Sequence, residues 1–127
     1  MRALFLTLLA LSAAAPAATP TRPDAERGRA VFAKNCAPCH GQGPGIDGSK
    51  MLPGSTALAA KYKGELPPHL EQRQDLMAEQ FHYFVRNGTG GMPMFRKTEV
   101  SDADIDAIAA YIAKTSRATP VPKPRGK

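Results

Sequence analysis

The sequence predicts an all-α domain of three to five short helices wrapped around one bulky apolar group, and three observations point there. No segment shows the apolar–polar alternation of a half-buried strand. Capping residues precede stretches whose apolar positions recur three and four apart. The 127-residue chain holds no Trp, 3 Tyr and 5 Phe. A domain of this size buries only ~60–70% of its unfolded surface, so a core poor in large aromatics needs a further stabiliser.

The first residues place Arg2 before an unbroken small and apolar run over residues 3–15, followed by Ala17 and Ala18. That layout predicts an export signal spanning residues 1–17, too short an apolar run for a membrane span. Residues 18–23 then read as a Thr/Pro linker. Asp24 is the expected cap of a first helix over residues 24–37, in the stretch AERGRAVFAKNCA. Five Gly and two Pro in GQGPGIDGSKMLPG forbid regular structure and imply a loop folded over something. Ser55 is the expected cap of a short helix, TALAAKY, that ends near Gly64. Asp75 is expected to cap a third helix, LMAEQFHYFVRN, with apolar residues at 77, 81, 84 and 85 and Gly88 in the C′ place. Ser101 and Asp104 form an S-x-x-D capping box before a last helix striped by Ile105, Ile108, Ala109 and Ile112. The folded domain is thus expected over residues 24–114. A basic, Pro-rich tail over 115–127 is expected to be extended or disordered.

Lys plus Arg is 17 against 11 Asp plus Glu, a net charge of +6. That excess favours acidic partners, but it is not clustered as nucleic-acid binding requires. Composition also excludes a multidomain enzyme, a coiled coil, a collagen-like repeat and a chain disordered throughout.

The only two cysteines are Cys36 and Cys39, in CAPCH, with His40 directly after. At a helix end this spacing directs two sulfurs to the two vinyl-derived carbons on one side of a haem, while the adjacent imidazole reaches the iron. It is the attachment signature of haem c. A thioredoxin-type C-x-x-C normally follows a strand and opens a helix, whereas this one ends a helix. Zinc would need a fourth ligand from His69 or His82, an odd site.

A haem iron held by His40 leaves its other face for a second ligand. The loop GGMPMF offers Met92, between flexible Gly90 and Gly91 and stiff Pro93, with Met94 as the alternative. Met77, on the apolar face of the third helix, and Met51, in the long loop, read as haem packing or core. His69 and His82 read as surface residues, although they could supply a bis-His centre. A thioether ligand favours ferrous iron, and a filled sixth site leaves nowhere for oxygen or peroxide to bind. The metal ligands expected are therefore His40 and Met92, with Cys36 and Cys39 as attachment points and no catalytic residue.

With these motifs in place, the chain resembles the class I c-type cytochromes, small mono-haem electron carriers, over about residues 24–114. DAERGRAVFAKNCAPCHG, NGTGGMPMF and SDADIDAIAAYIAK carry the likeness, in that family's order. The resemblance implies a haem-wrapping fold whose first and last helices cross, through Gly28 and Phe32 on one side and Ile108 and Tyr111 on the other. It also implies a proline whose backbone orients His40, either Pro53 or Pro44. MPMFRKTEVSDADIDAIAAYIA is similar to cytochrome subunits that take electrons from periplasmic flavin dehydrogenases. The implied protein is a periplasmic carrier between redox proteins, with a flavin dehydrogenase as donor and an oxidase or another cytochrome as acceptor. It binds no nucleic acid and has no stable membrane span. Lys50, Lys61, Lys63, Arg96 and Lys97 could form a basic docking rim. The competing readings are a haem enzyme or gas sensor with a labile sixth ligand, and a thiol oxidoreductase.

Overall fold

The computed structural model describes residues 22–118. The export segment, most of the linker and residues 119–127 of the tail lie outside the described residues. Five α-helices follow in order: α1 Arg22–Asn35, α2 Ala37–His40, α3 Pro53–Tyr62, α4 Ala78–Asn87 and α5 Asp102–Ala118, with a 3-10 turn at Leu70–Gln72 before α4. No strand is formed among the described residues; Thr89 and Met92 make a single isolated bridge. The architecture is all-α among the described residues, as the sequence predicts.

Several boundaries differ from the sequence reading, each for a local reason. α1 begins at Arg22, inside the expected linker, because Pro23 falls in the first turn, where a helix has no use for its missing N–H. It stops at Asn35 rather than Ala37. Continued helix would set the Pro38 ring against the carbonyl of Lys34, so the chain breaks at Cys36 and restarts as α2 with Pro38 in its first turn. The cap of α3 is Leu52, with Pro53 opening the helix, and not Ser55. Ser55 is instead fully buried, its hydroxyl 3.5 Å from the Gly41 carbonyl and 3.3 Å from His69 Nδ1. Asp75 does not cap α4, because the buried guanidinium of Arg73 claims its carboxylate at 2.6 and 2.5 Å. Met77 takes the cap position, and Gln80 Oε1 accepts its N–H at 2.8 Å. Gly88 does end α4, at φ 68°.

The capping box of α5 forms as read: Ser101 Oγ accepts from the Asp104 N–H at 3.1 Å and Asp104 Oδ2 from the Ser101 N–H at 3.0 Å. α5 then continues to Ala118, past the expected domain end at 114. Ser116 is buried there, and its carbonyl accepts from Gln74 Nε2 at 2.9 Å, so the first residues of the expected tail belong to the core.

The core is the crossing of α1 with α5. Phe32, Val85, Val100, Ile105, Ile108 and Ile112 form its buried cluster. A Cβ on Gly28 would collide with the Ala107 backbone carbonyl and lie 2.9 Å from Tyr111 Cβ, so the two helices touch backbone to backbone. Phe32 and Tyr111 pack beside that point with ring centroids 5.6 Å apart. The Tyr111 hydroxyl donates to Glu71 and so ties the 3-10 turn to α5. Burial, followed by that carboxylate, pushes the Tyr111 phenol up to about 12.

Gly28→Ala is expected to force α1 away from α5 at a cost of about 3 kcal/mol. A thermal melt of the haem-loaded protein should show Tm lowered by roughly 10 °C or more, and an unchanged Tm would contradict the close crossing.

Candidate functional site

CAPCH leaves α1 as one wound turn. The Cys36 N–H donates to the Phe32 carbonyl at 2.8 Å, and the Cys36 carbonyl accepts from the N–H groups of Cys39 at 3.1 Å and His40 at 2.8 Å. Cys36, Cys39 and His40 are thereby brought onto a single turn at the edge of the core. Cys36 is half-buried and packs against the core cluster, Cys39 is exposed, and both thiols are unpaired. Burial, with the Cys39 charge second, pushes the Cys36 thiol up to about 11. A thiol nucleophile needs the opposite, a depressed value.

His40 is half-buried, and burial pushes its imidazole below the ordinary value. The neutral ring keeps a lone pair for a metal. Its Nδ1 is buried without a hydrogen-bond partner, so neither Pro53 nor Pro44 orients the ring by that bond. What does abut the ring is Gly54, the residue after Pro53. A Cβ there would lie 2.7 Å from His40 Cε1 and 2.8 Å from both Nδ1 and the Cys39 carbonyl.

Met92 sits in the turn after α4, where its N–H and carbonyl exchange hydrogen bonds with Thr89 at 2.9 and 3.1 Å. Its side chain is half-buried against the same core cluster as Cys36. The attachment turn and the methionine loop therefore converge on one core. Met94, two residues on, is 63% exposed. Met77 is also exposed, at 66%, and takes the cap position of α4, so it is not part of the protein core. Met51 is half-buried in the long loop, its carbonyl accepting from Ser49 at 2.7 Å and Thr56 at 3.1 Å. His69 is half-buried against Ser55 rather than a surface residue, and His82 pairs with Asp106 at 2.8 Å.

Two unpaired sulfurs on one turn, a neutral imidazole beside them and a soft thioether turned to the same core suit a covalently attached iron porphyrin. The residues thus fit haem c. Sequence reasoning missed Gly54, which only the approach of α3 to His40 reveals, and Arg86, whose hydrogen bonds reach the loop after Met92.

Residues 23–112 match the family described as cytochrome c oxidase, cbb3-type, subunit III. The chain belongs to the class I c-type cytochromes. It is 41% identical over 90 residues to a cytochrome c6 of Picosynechococcus sp., covering 71% of this chain and 72% of that one. A cytochrome c6 of Leptolyngbya boryana is 38% identical over 90 residues, 70% of this chain and 89% of its own. One of Synechocystis sp. is 35% identical over 95 residues, 74% and 68% respectively. As a mono-haem c-type cytochrome it carries one covalently bound haem c and moves electrons without catalysing a reaction of its own. A covalently bound haem sets aside the thiol-oxidoreductase reading. Among the described residues no helix is long and apolar enough to cross a membrane.

Gly54→Ala should press its methyl group into the His40 ring. We expect a stability loss of about 2 kcal/mol and a smaller fraction of chain with attached haem, read as the ratio of Soret to ultraviolet absorbance; an unchanged ratio and urea midpoint would contradict the close packing.

Proposed function

We propose that this cytochrome is an exported, periplasmic carrier whose haem is held by Cys36 and Cys39 through thioethers and ligated by His40 and Met92. The burial of Met92 against the core, set against the exposure of Met94, carries the ligand assignment. The haem supplies a one-electron ferrous/ferric couple. His40 gives a lone pair from a ring kept neutral by burial. Met92 gives a soft sulfur that favours the ferrous state and closes the second face to small ligands. Leu70, Leu76, Phe81 and Phe95 stand half-buried against the same core cluster as Met92.

The partners proposed are redox proteins, with a periplasmic flavin dehydrogenase as donor and an oxidase or another cytochrome as acceptor. The donor is supported by the likeness of MPMFRKTEVSDADIDAIAAYIA to such subunits, and the acceptor by the oxidase subunit that gives the matching family its description. Of the expected basic rim, Arg96 pairs with Glu99 at 3.1 Å and Lys97 with Asp102 at 2.7 Å. Lys50, Lys61 and Lys63 stay exposed and are the groups best suited to steer an acidic partner.

In protein matured with its haem, the ferric form is expected to show the weak near-infrared sulfur-to-iron band. Met92→Ala should abolish it, lower the reduction potential and let the ferrous form bind carbon monoxide, while Met94→Ala should keep the band. Loss of the band in Met94→Ala alone would transfer the ligand role to Met94.

A further inference from the structure

Met92 is followed by a segment without regular structure that reaches to α5. Its backbone makes one hydrogen bond to α4, from the Phe95 N–H to the Val85 carbonyl at 2.8 Å. The next residue of α4, Arg86, takes the same segment by its side chain. Arg86 Nη1 donates to the Phe95 carbonyl at 2.9 Å, and Nη2 donates to the Val100 carbonyl at 2.9 Å and to Asp102 Oδ1 at 2.6 Å. One guanidinium therefore fastens both ends of the run from Phe95 to the first turn of α5. Lys97 closes the arrangement from within, its Nζ donating to Asp102 Oδ2 at 2.7 Å.

The chemistry is specific to arginine. A planar fork with five donors can serve two carbonyls and a carboxylate at once, whereas an ammonium is a single point of charge. The fork comes at a cost, because Arg86 Nε is buried without a partner. No helix ladder supplies the carbonyls of Phe95 and Val100 with donors, and both receive theirs from this one side chain.

We propose that Arg86 is the positioning residue for the Met92 sulfur, holding the loop that presents it. The inference rests on Met92 being the sixth ligand. A thioether competes for iron by its effective concentration, which falls when the loop that carries it gains freedom. The hydrogen bonds of the Arg86 guanidinium go to Phe95, Val100 and Asp102, so it acts through the loop.

The test uses haem-loaded protein with Arg86→Gln, Arg86→Lys and Asp102→Asn beside Met92→Ala. The readouts are the near-infrared band against temperature, carbon monoxide binding to the ferrous form, and far-ultraviolet circular dichroism. We expect Arg86→Gln to keep its haem and helical signal, to lose the band on warming well before the helices melt, and to bind carbon monoxide at least tenfold more tightly than wild type. Arg86→Lys should recover part of that difference, and Asp102→Asn should show a smaller effect of the same kind. If the band and the helical signal disappear together in Arg86→Gln, or if the band and carbon monoxide resistance match wild type, Arg86 is not a positioning residue. If Met92→Ala keeps the band, the ligand reading itself fails and this inference fails with it; loss of the band there with Arg86→Gln unchanged overturns the Arg86 role alone.

Discussion

The contact between Gly28 and the backbone of Ala107 governs the molecule. Only a residue without a side chain lets α1 approach α5 so closely, and from that crossing the rest of the geometry follows. α1 ends at the attachment turn, so fixing α1 fixes Cys36 and, one short helix later, His40. α5 begins just after the methionine loop, so fixing α5 fixes the far end of the segment that carries Met92. Tyr111 beside the crossing reaches Glu71, and Gln74 reaches the last turn of α5 at Ser116, so the 3-10 region before α4 is tied to the same axis.

The crossing does not by itself make a full core. Phe32 is the one aromatic buried among the described residues. Phe81, Phe95, Leu70, Leu76 and Met92 are left half-buried around the cluster, and a flat apolar group of porphyrin size is what such a surface accommodates. The proposed attachment agrees with that requirement, since a group held by two covalent bonds at Cys36 and Cys39 would be part of the chain's core from the moment it is attached. Electron transfer then needs little else from the protein than a fixed iron environment. The polar strap that holds the methionine loop serves rigidity rather than bond chemistry.

Much of this was legible in the residues because it is local. CAPCH states its chemistry in five letters, and the Ser101–Asp104 box with the Ile105, Ile108 and Ile112 stripe marks α5 without ambiguity. The crossing at Gly28 was legible through the family likeness. The errors arose where a long-range partner outbid a local rule. Asp75 has the chemistry of a cap, but Arg73 holds it. Ser55 has the chemistry of a cap, but its place is inside the fold against Gly41 and His69. Pro38 was a local signal that CAPCH obscured, although a proline four residues past Lys34 ends a helix whatever else the motif does. Gly54 and Arg86 could not have been found, since their roles exist only once α3 meets His40 and α4 meets the Met92 loop.

The central claim is that the helices close a core only together with the group attached at CAPCH. The direct measurement is a far-ultraviolet circular dichroism melt of the Cys36→Ala/Cys39→Ala chain, which cannot attach haem, beside the haem-loaded protein. The account predicts a cooperative transition in the loaded protein and, in the double variant, a chain that has lost most of its helical signal and melts without a transition. A double variant that melts cooperatively with the helical signal and Tm of the loaded protein would contradict it.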